Sequence, residues 1–241
     1  MKNIEEAPQN LAAVDDLVRQ AEVQMCRIVP VGCRALTSGQ NRLRCPYWDN
    51  LHAVCDRVVG WSQALFTNEK RNLYLYGKLL PMGCDGDDVK LEILELGRCY
   101  AALYSALESA EHQGVSGCRF PVVRVAALIR DIDKHRFAYG GQEPRFNIPS
   151  RGGSRQVTVD GYLDYMATQP VLFIENSGHG VTLGRVRDVL ERLIRPRSQM
   201  RLTTFFSFDH SIQEVEGHFG VGLIRQMVAS GCDPVDVRAA A

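Results

Sequence analysis

The periodicity of the apolar residues changes near residue 134, and this change constrains the fold more than any other feature. Before it, apolar residues recur every three or four positions, as they do on helices buried along one face. The clearest example spans residues 88–111, where the steps of 4 and 3 residues alternate and predict a helix packed against other helices. Its seam consists of Val89, Ile93, Leu96, Tyr100, Leu103 and Leu107. A further helix is predicted in the segment PVVRVAALIRDID, with Pro121 in its first turn.

After residue 134 the helical pattern is lost. Residues 137–156 are rich in glycine and arginine and predict a long loop or a junction. The later segments QVTV, VLFIE and RLTTFFSF are short and apolar or alternating, which favours strands with helices between them. We therefore predict an α+β fold, with a helical domain over 1–136, the junction over 137–156, and a smaller mixed α/β domain over 157–241.

Composition places the chain among ordinary globular proteins. Hydrophobic residues make up 45% of the chain and charged residues 23%. Apolar runs stay well below the ~20 residues that span a bilayer, and the first ten residues do not resemble a signal peptide. We expect a cytoplasmic, intracellular protein without a membrane partner, whose eight cysteines are reduced thiols.

Charge is distributed unevenly along a chain whose net charge is zero. Residues 116–201 contain thirteen arginines, one lysine and eight acidic residues, a local balance of +6. Arginine is the side chain suited to bidentate recognition of phosphate or carboxylate. Because the whole chain is neutral, any attraction to a polyanion has to be local.

A glycine-containing loop follows the predicted strand VLFIE. Gly178, His179 and Gly180 lie in it, and Thr182 is the expected N-cap of the next helix. Backbone N–H groups at such a helix start can bind a phosphate. However, Gly178, Gly180 and Gly184 follow a G-x-G-x-x-x-G spacing, one residue longer than the dinucleotide fingerprint, and no Walker lysine is present. An ordinary tight turn therefore stays the alternative to a phosphate cradle.

The arginines form the second candidate site. Their predicted role is a positive surface between the two parts of the chain, with Phe137, Tyr139 and Phe146 available for stacking on bases. The alternative is a solvated helix face with local ion pairs. The predicted binding residues are Arg145, Arg151, Arg155, Arg185, Arg195, Arg197 and Arg201.

Two other patterns favour structural interpretations, and a third consists of candidates without a mechanism. Cys45, His52 and Cys55 lack a fourth zinc ligand, and Cys55 falls on an apolar helix face. Ser211 and Glu214 match a capping box. Asp209, His210 and His179 follow strands but lack a recognisable mechanism. We therefore predict no metal, no cofactor and no catalytic residue.

The leading hypothesis is a non-enzymatic binding or assembly protein that contacts nucleic acid, RNA or DNA, or an acidic protein surface, through its arginine-rich surface. Assembly into a homo-oligomer is part of that hypothesis. The alternative is a small α/β enzyme that acts on a nucleotide or a phosphorylated substrate at the 176–182 loop.

Overall fold

The computed structural model describes most of the chain, in eight segments. These are residues 6–27, 48–66, 71–77, 86–111, 120–150, 153–176, 181–229 and 231–237. The strands are β1 (Asn72–Tyr76), β2 (Val122–Arg124), β3 (Phe146–Ser150), β4 (Gly153–Val157), β5 (Val171–Asn176), β6 (Thr203–Phe208) and β7 (Cys232–Asp236). The helices are α1 (Glu6–Arg27), α2 (Trp48–Ala64), α3 (Gly86–Glu111), α4 (Val125–Ala138), α5 (Val159–Ala167), α6 (Leu183–Gln199), α7 (Ile212–Phe219) and α8 (Val221–Val228).

Five strands form a parallel sheet in the order β2-β5-β6-β1-β7. Parallel sheets are covered on both faces, so their central strands are apolar throughout rather than alternating. All six residues of β6 are buried, and five of the six residues of β5 are buried. The structure is a mixed fold of helices with a parallel sheet and a small antiparallel sheet, which agrees with the predicted α+β class.

Helices cover the sheet on both faces. Strand β1 connects towards the β2 edge, whereas the connections that follow run in the opposite direction. Right-handed crossovers therefore place α3 on one face and α4, α6, α7 and α8 on the other. The two hydrophobic clusters follow this division, since Leu73 and Leu75 pack with residues of α2 and α3 while Tyr74 packs with residues of α4 and α6 to α8.

The sheet takes strands from both sides of the predicted junction. β1 and β2 come from residues 1–136, and β5, β6 and β7 come from residues 157–241. The predicted boundary at 137–156 therefore does not separate two sheets. Within that segment, the predicted loop contains β3, which pairs with β4 in an antiparallel hairpin.

The prediction that a helix begins at Pro121 is corrected by the structure. Val122 to Arg124 form an edge strand beside β5, and α4 begins only at Val125. Valine-rich segments of this length suit either a strand or a first helical turn, and pairing with β5 decides between them. In the described part of the chain, no helix is long and apolar enough to cross a bilayer.

Aromatic packing holds α2 and α3 against the sheet. Phe173 and Phe205 stack on neighbouring strands with ring centroids 5.1 Å apart, and Trp61 meets Phe205 edge-on at 5.3 Å. Gly97 lets α3 approach these rings closely, because a Cβ atom there would lie 3.3 Å from both phenylalanines. The Ser62 hydroxyl, which is buried in the same layer, lies within hydrogen-bond distance of the carbonyl oxygens of Val58 and Gly97.

Candidate functional site

The strand order places a topological switch point beside β1, at the carboxyl edge of the parallel sheet. At this edge the chain leaves β1 towards α3 on one face and leaves β6 towards α7 on the other. Open α/β sheets bind ligands where the connections that follow two neighbouring strands run to opposite faces of the sheet in this way. The fold therefore provides one candidate site, which we call the switch crevice, between the carboxyl ends of β1 and β6.

A buried ion pair bridges the switch crevice. Lys90, in the first turns of α3, contacts the carboxylate of Asp209, which follows β6 directly. The exposed fractions of the two side chains are 3% and 2%. Burial of both charges is costly unless they remain paired, so this contact fixes α3 to the end of β6.

Two buried polar atoms near this edge lack partners among the described residues. They are the Asn176 Oδ1 atom at the end of β5 and the Ser207 Oγ atom in β6. A buried acceptor without a donor is costly and is often explained by a bound molecule. The amide oxygen of Asn176 can accept a hydrogen bond from a hydroxyl or an amine.

The segment after β6 brings two histidines together. His210 and His218 have ring centroids 5.0 Å apart, and the hydroxyl of Tyr74 donates to the His210 carbonyl oxygen at 2.7 Å. Burial raises the pKa of Tyr74 well above its usual range. Ser211 caps α7 in the predicted capping box with Glu214, so that prediction is confirmed.

The predicted glycine loop cannot be placed. Gly178, His179 and Gly180 lie outside the described residues. At its far end, Thr182 is the N-cap of α6, as predicted. The Thr182 side chain forms no capping hydrogen bond, and its carbonyl oxygen accepts from the N–H groups of Arg185 and Val186.

One predicted binding residue is buried, and its assignment is corrected. Arg197 is 1% exposed and donates to oxygens of its own fold, namely the Thr204 hydroxyl at 2.9 Å and backbone carbonyls of residues 167, 169 and 203. It occupies the apolar stripe of α6, four residues after Leu193. Burial lowers the pKa of its guanidinium to about 9, which still leaves it charged at neutral pH. Arg197 is a structural residue.

Several other arginines of this region pair with carboxylates. Arg185 contacts Asp133 of α4, and Arg192 contacts both Asp160 and Asp164 of α5. Within α6, Arg187 pairs with Glu191 at 2.7 Å. These contacts tie α6 to its neighbours and reduce the positive charge available to a ligand.

Four predicted arginines remain exposed. In the part of the chain that the structure describes, no carboxylate forms an ion pair with any of these four arginines. Arg151, which was also predicted to bind, lies outside that part. The four exposed arginines are Arg145, Arg155, Arg195 and Arg201. Arg145 and Arg155 belong to the β3–β4 hairpin, and Arg195 and Arg201 lie at the end of α6 or just beyond it.

Of the three aromatic residues predicted to stack on bases, one is partly buried in the fold. Phe146 is partly buried and stacks on Tyr162 of α5 with ring centroids 4.7 Å apart. Phe137 and Tyr139 are exposed at the end of α4. The aromatic ring of the hairpin is therefore packed against α5, whereas the two rings at the end of α4 are exposed to solvent.

The zinc hypothesis gains no support from the residues that can be examined. Cys45 lies outside the described part, and the description does not include the side chain of His52. Cys55 is buried, and burial raises the pKa of its thiol to about 12. Among the described residues, no three His, Cys, Asp or Glu side chains come close enough to hold a metal ion.

Lys90 is the site residue that sequence reasoning missed. A signal was present, because Lys90 lies three and four residues before Ile93 and Leu94, on the buried stripe of α3. A lysine on an apolar stripe needs a buried partner. Its partner, Asp209, was predicted only as a polar residue after a strand.

Comparison with known proteins gives likenesses of fold alone. No family model matches the chain, and no curated protein matches it. Among solved structures, DnaI is 19% identical, with 77% of this chain and 79% of that chain covered and a TM-score of 0.41. The DnaC helicase loader is 12% identical, with 79% and 89% covered and a TM-score of 0.46.

A third solved structure is AMPPCP-bound DnaA from Aquifex aeolicus. It is 11% identical, with 74% of this chain and 44% of that chain covered and a TM-score of 0.43. At these identities and TM-scores the likeness says nothing about what this chain binds.

Proposed function

We propose that the protein is a binding or assembly protein that contacts nucleic acid through exposed arginines on the surface formed by the β3–β4 hairpin, α5 and α6. We call this the hairpin–helix surface. The observation that carries the proposal is the set of four exposed arginines without a carboxylate partner among the described residues. Exposed, unpaired guanidinium groups are free to bind phosphates.

Contacts between the elements support a continuous surface. The hairpin packs on α5 through the stack of Phe146 on Tyr162, and α5 is joined to α6 by Arg192. Arg195 lies one turn beyond Arg192 on α6, so it borders the same side of α5. We infer that Arg155 and Arg195 face one ligand across α5, with Arg201 at the end of α6 and Arg145 at the start of the hairpin.

A binding titration tests this proposal. Fluorescence anisotropy of a labelled single-stranded DNA, measured at low salt, should report binding by the wild-type protein. Arg155→Ala combined with Arg195→Ala should weaken it by roughly ten-fold or more, about equally for different sequences. Arg187→Ala is the matched control, because its guanidinium already pairs with Glu191. Equal affinity of all three proteins would contradict the proposal.

A second candidate function is favoured by the buried Asn176 Oδ1 atom, which has no hydrogen-bond partner among the described residues. It is the binding of a nucleotide or another phosphorylated small molecule, with the Lys90 ammonium directed to a phosphate and Asn176 Oδ1 accepting a hydrogen bond from a hydroxyl or an amine. Such a ligand has to compete with Asp209 for Lys90.

Thermal unfolding in the presence of ATP tests the second candidate, since a ligand that binds only the folded protein raises the midpoint. The wild-type midpoint should rise with ATP concentration, and the Asn176→Leu midpoint should not. A wild-type midpoint that ATP leaves unchanged would exclude this candidate for ATP.

A further inference from the structure

The C-terminal end of α4 exposes two aromatic rings. Phe137 is 95% exposed and Tyr139 is 60% exposed. Phenylalanine is among the residues that are most often buried, so a ring left almost entirely in water is unusual. Tyr139 is the C-cap of α4, two residues after Phe137, so the two rings project from different sides of the helix.

The segment that bears these rings is held in place by several contacts. The Tyr139 N–H donates to the His135 carbonyl oxygen at 3.0 Å, and the Gly141 N–H donates to the Arg136 carbonyl oxygen at 2.8 Å. Arg136 also pairs with Glu143 at 2.9 Å, across the turn. Gly140 and Gly141 adopt φ angles of +61° and +92°, which glycine allows without strain. The rings therefore stand on an ordered turn.

The rings lie beside basic groups. Residues 134–145 contain three basic side chains, Lys134, Arg136 and Arg145, and one acidic side chain, Glu143. The contact between Asp133 and Arg185 places this end of α4 beside the first turn of α6. A ligand that fits both features carries flat aromatic groups and negative charge.

We propose that Phe137 forms a stacking platform for a base of single-stranded nucleic acid, with Lys134, one helical turn earlier on the same side of α4, contacting the phosphate backbone. This inference rests on the proposed function and assigns it a second contact region beyond the hairpin–helix surface. Stacking tolerates any base, because every base has a π-face, so the platform adds affinity with little sequence preference. The ring of Tyr139 lies against that of His135, with centroids 4.6 Å apart, on another side of the helix, so it is not part of this platform.

The test compares three variants by anisotropy with a fluorescein-labelled oligothymidylate. Phe137→Ala should weaken binding by roughly ten-fold, and Phe137→Trp should retain it. Val221→Ala is the control, because Val221 is an exposed apolar side chain on α8, 47% exposed. Phe137 contributes little buried area, so the thermal midpoint of Phe137→Ala should equal that of the wild type.

Tryptophan fluorescence of Phe137→Trp provides a second readout. A base stacked on the introduced indole ring should quench its emission on addition of the oligonucleotide, whereas the wild-type emission should change less.

The outcomes separate this inference from the proposed function. If Phe137→Ala binds as the wild type does while Arg155→Ala with Arg195→Ala weakens binding, the platform is wrong and the proposed function stands. If the wild type binds no oligonucleotide, both fail. If Phe137→Ala leaves DNA binding unchanged and abolishes self-association measured by light scattering, the rings contact a second copy and the platform is overturned.

Discussion

Arg197 shows how burial changes the role of an arginine. It lies on the stripe of α6 that also carries Leu193 and Ile194, and its guanidinium bridges the end of α5 to the start of β6. Arg195, two residues earlier, points to the opposite, exposed side. The two residues therefore have opposite environments within one helical turn.

The first prediction concerns this pair of arginines. Arg197→Ala should lower the free energy of unfolding by about 3 kcal/mol, because it leaves the Thr203 and Gln169 carbonyl oxygens without their donor and opens a cavity. Arg195→Ala should change it by less than about 0.5 kcal/mol. Urea unfolding followed by circular dichroism measures both. A small effect of Arg197→Ala would contradict its structural assignment.

The second prediction concerns the buried pair in the switch crevice. Lys90→Met should cost about 3–5 kcal/mol of unfolding free energy, because Asp209 is then buried without a counter-charge. Adding Asp209→Leu should recover much of that loss, since replacement of both partners removes the unpaired charge. Denaturant unfolding of the single and double variants provides the comparison. A double variant less stable than the single one would refute this coupling.

At the scale of elements, the approach of α3 to the sheet depends on one missing side chain. Gly97 faces Val58, Phe173 and Phe205 at distances that leave no room for a branched side chain. Gly217, on the exposed side of helix α7, faces open space. The two glycines thus differ in packing although both lie in helices.

The third prediction uses this difference. Gly97→Val should lower the unfolding free energy by about 1–3 kcal/mol through overpacking, whereas Gly217→Val should change it by less than about 0.5 kcal/mol. The test measures the thermal unfolding midpoints of the two variants. Equal midpoints would contradict the prediction and show that the contact between α3 and the sheet can relax.

The fourth prediction concerns the start of α7, next to Asp209. Ser211→Ala removes the side-chain acceptor for the Glu214 N–H and should cost about 1 kcal/mol. Ser211→Asp should retain most of the stability, because an aspartate also caps a helix. Chemical denaturation distinguishes them. A Ser211→Ala protein as stable as the wild type would mean that the cap contributes nothing measurable.

At the scale of the molecule, some features were accessible from the sequence and others depend on long-range pairing. The α3 helix, the N-cap at Thr182 and the capping box at Ser211 are local signals, and the structure confirms them. Within the predicted seam of α3, Ile93, Leu96 and Leu103 are buried, whereas Leu107 is exposed. β1 and β7 were missed. NLYLY is a short apolar run that suits a strand or part of a buried helix, and CDPVD contains a proline and two aspartates, which are rare in strands. Their identity as strands depends on pairing across more than 100 residues of chain.

The candidate site shows the same contrast between local sequence signals and contacts that depend on long-range pairing. The sequence identified the arginines as a group, but pairing with carboxylates such as Asp133 and Asp160 arises only when α4, α5 and α6 come together. The unpartnered Asn176 and the Lys90–Asp209 contact likewise depend on the order of the strands. Side-chain chemistry was therefore visible in the sequence, and its local environment was not.

The measurement that tests the account most directly is the salt dependence of single-stranded DNA binding. It compares the wild type with a variant in which Arg145, Arg155, Arg195 and Arg201 are all alanine. Each phosphate contact adds about 0.7 to the slope of log affinity against log salt concentration for a single strand. We predict that the variant's slope is smaller by between about 2 and 3. An unchanged slope, or a wild type without measurable binding at low salt, would contradict the account.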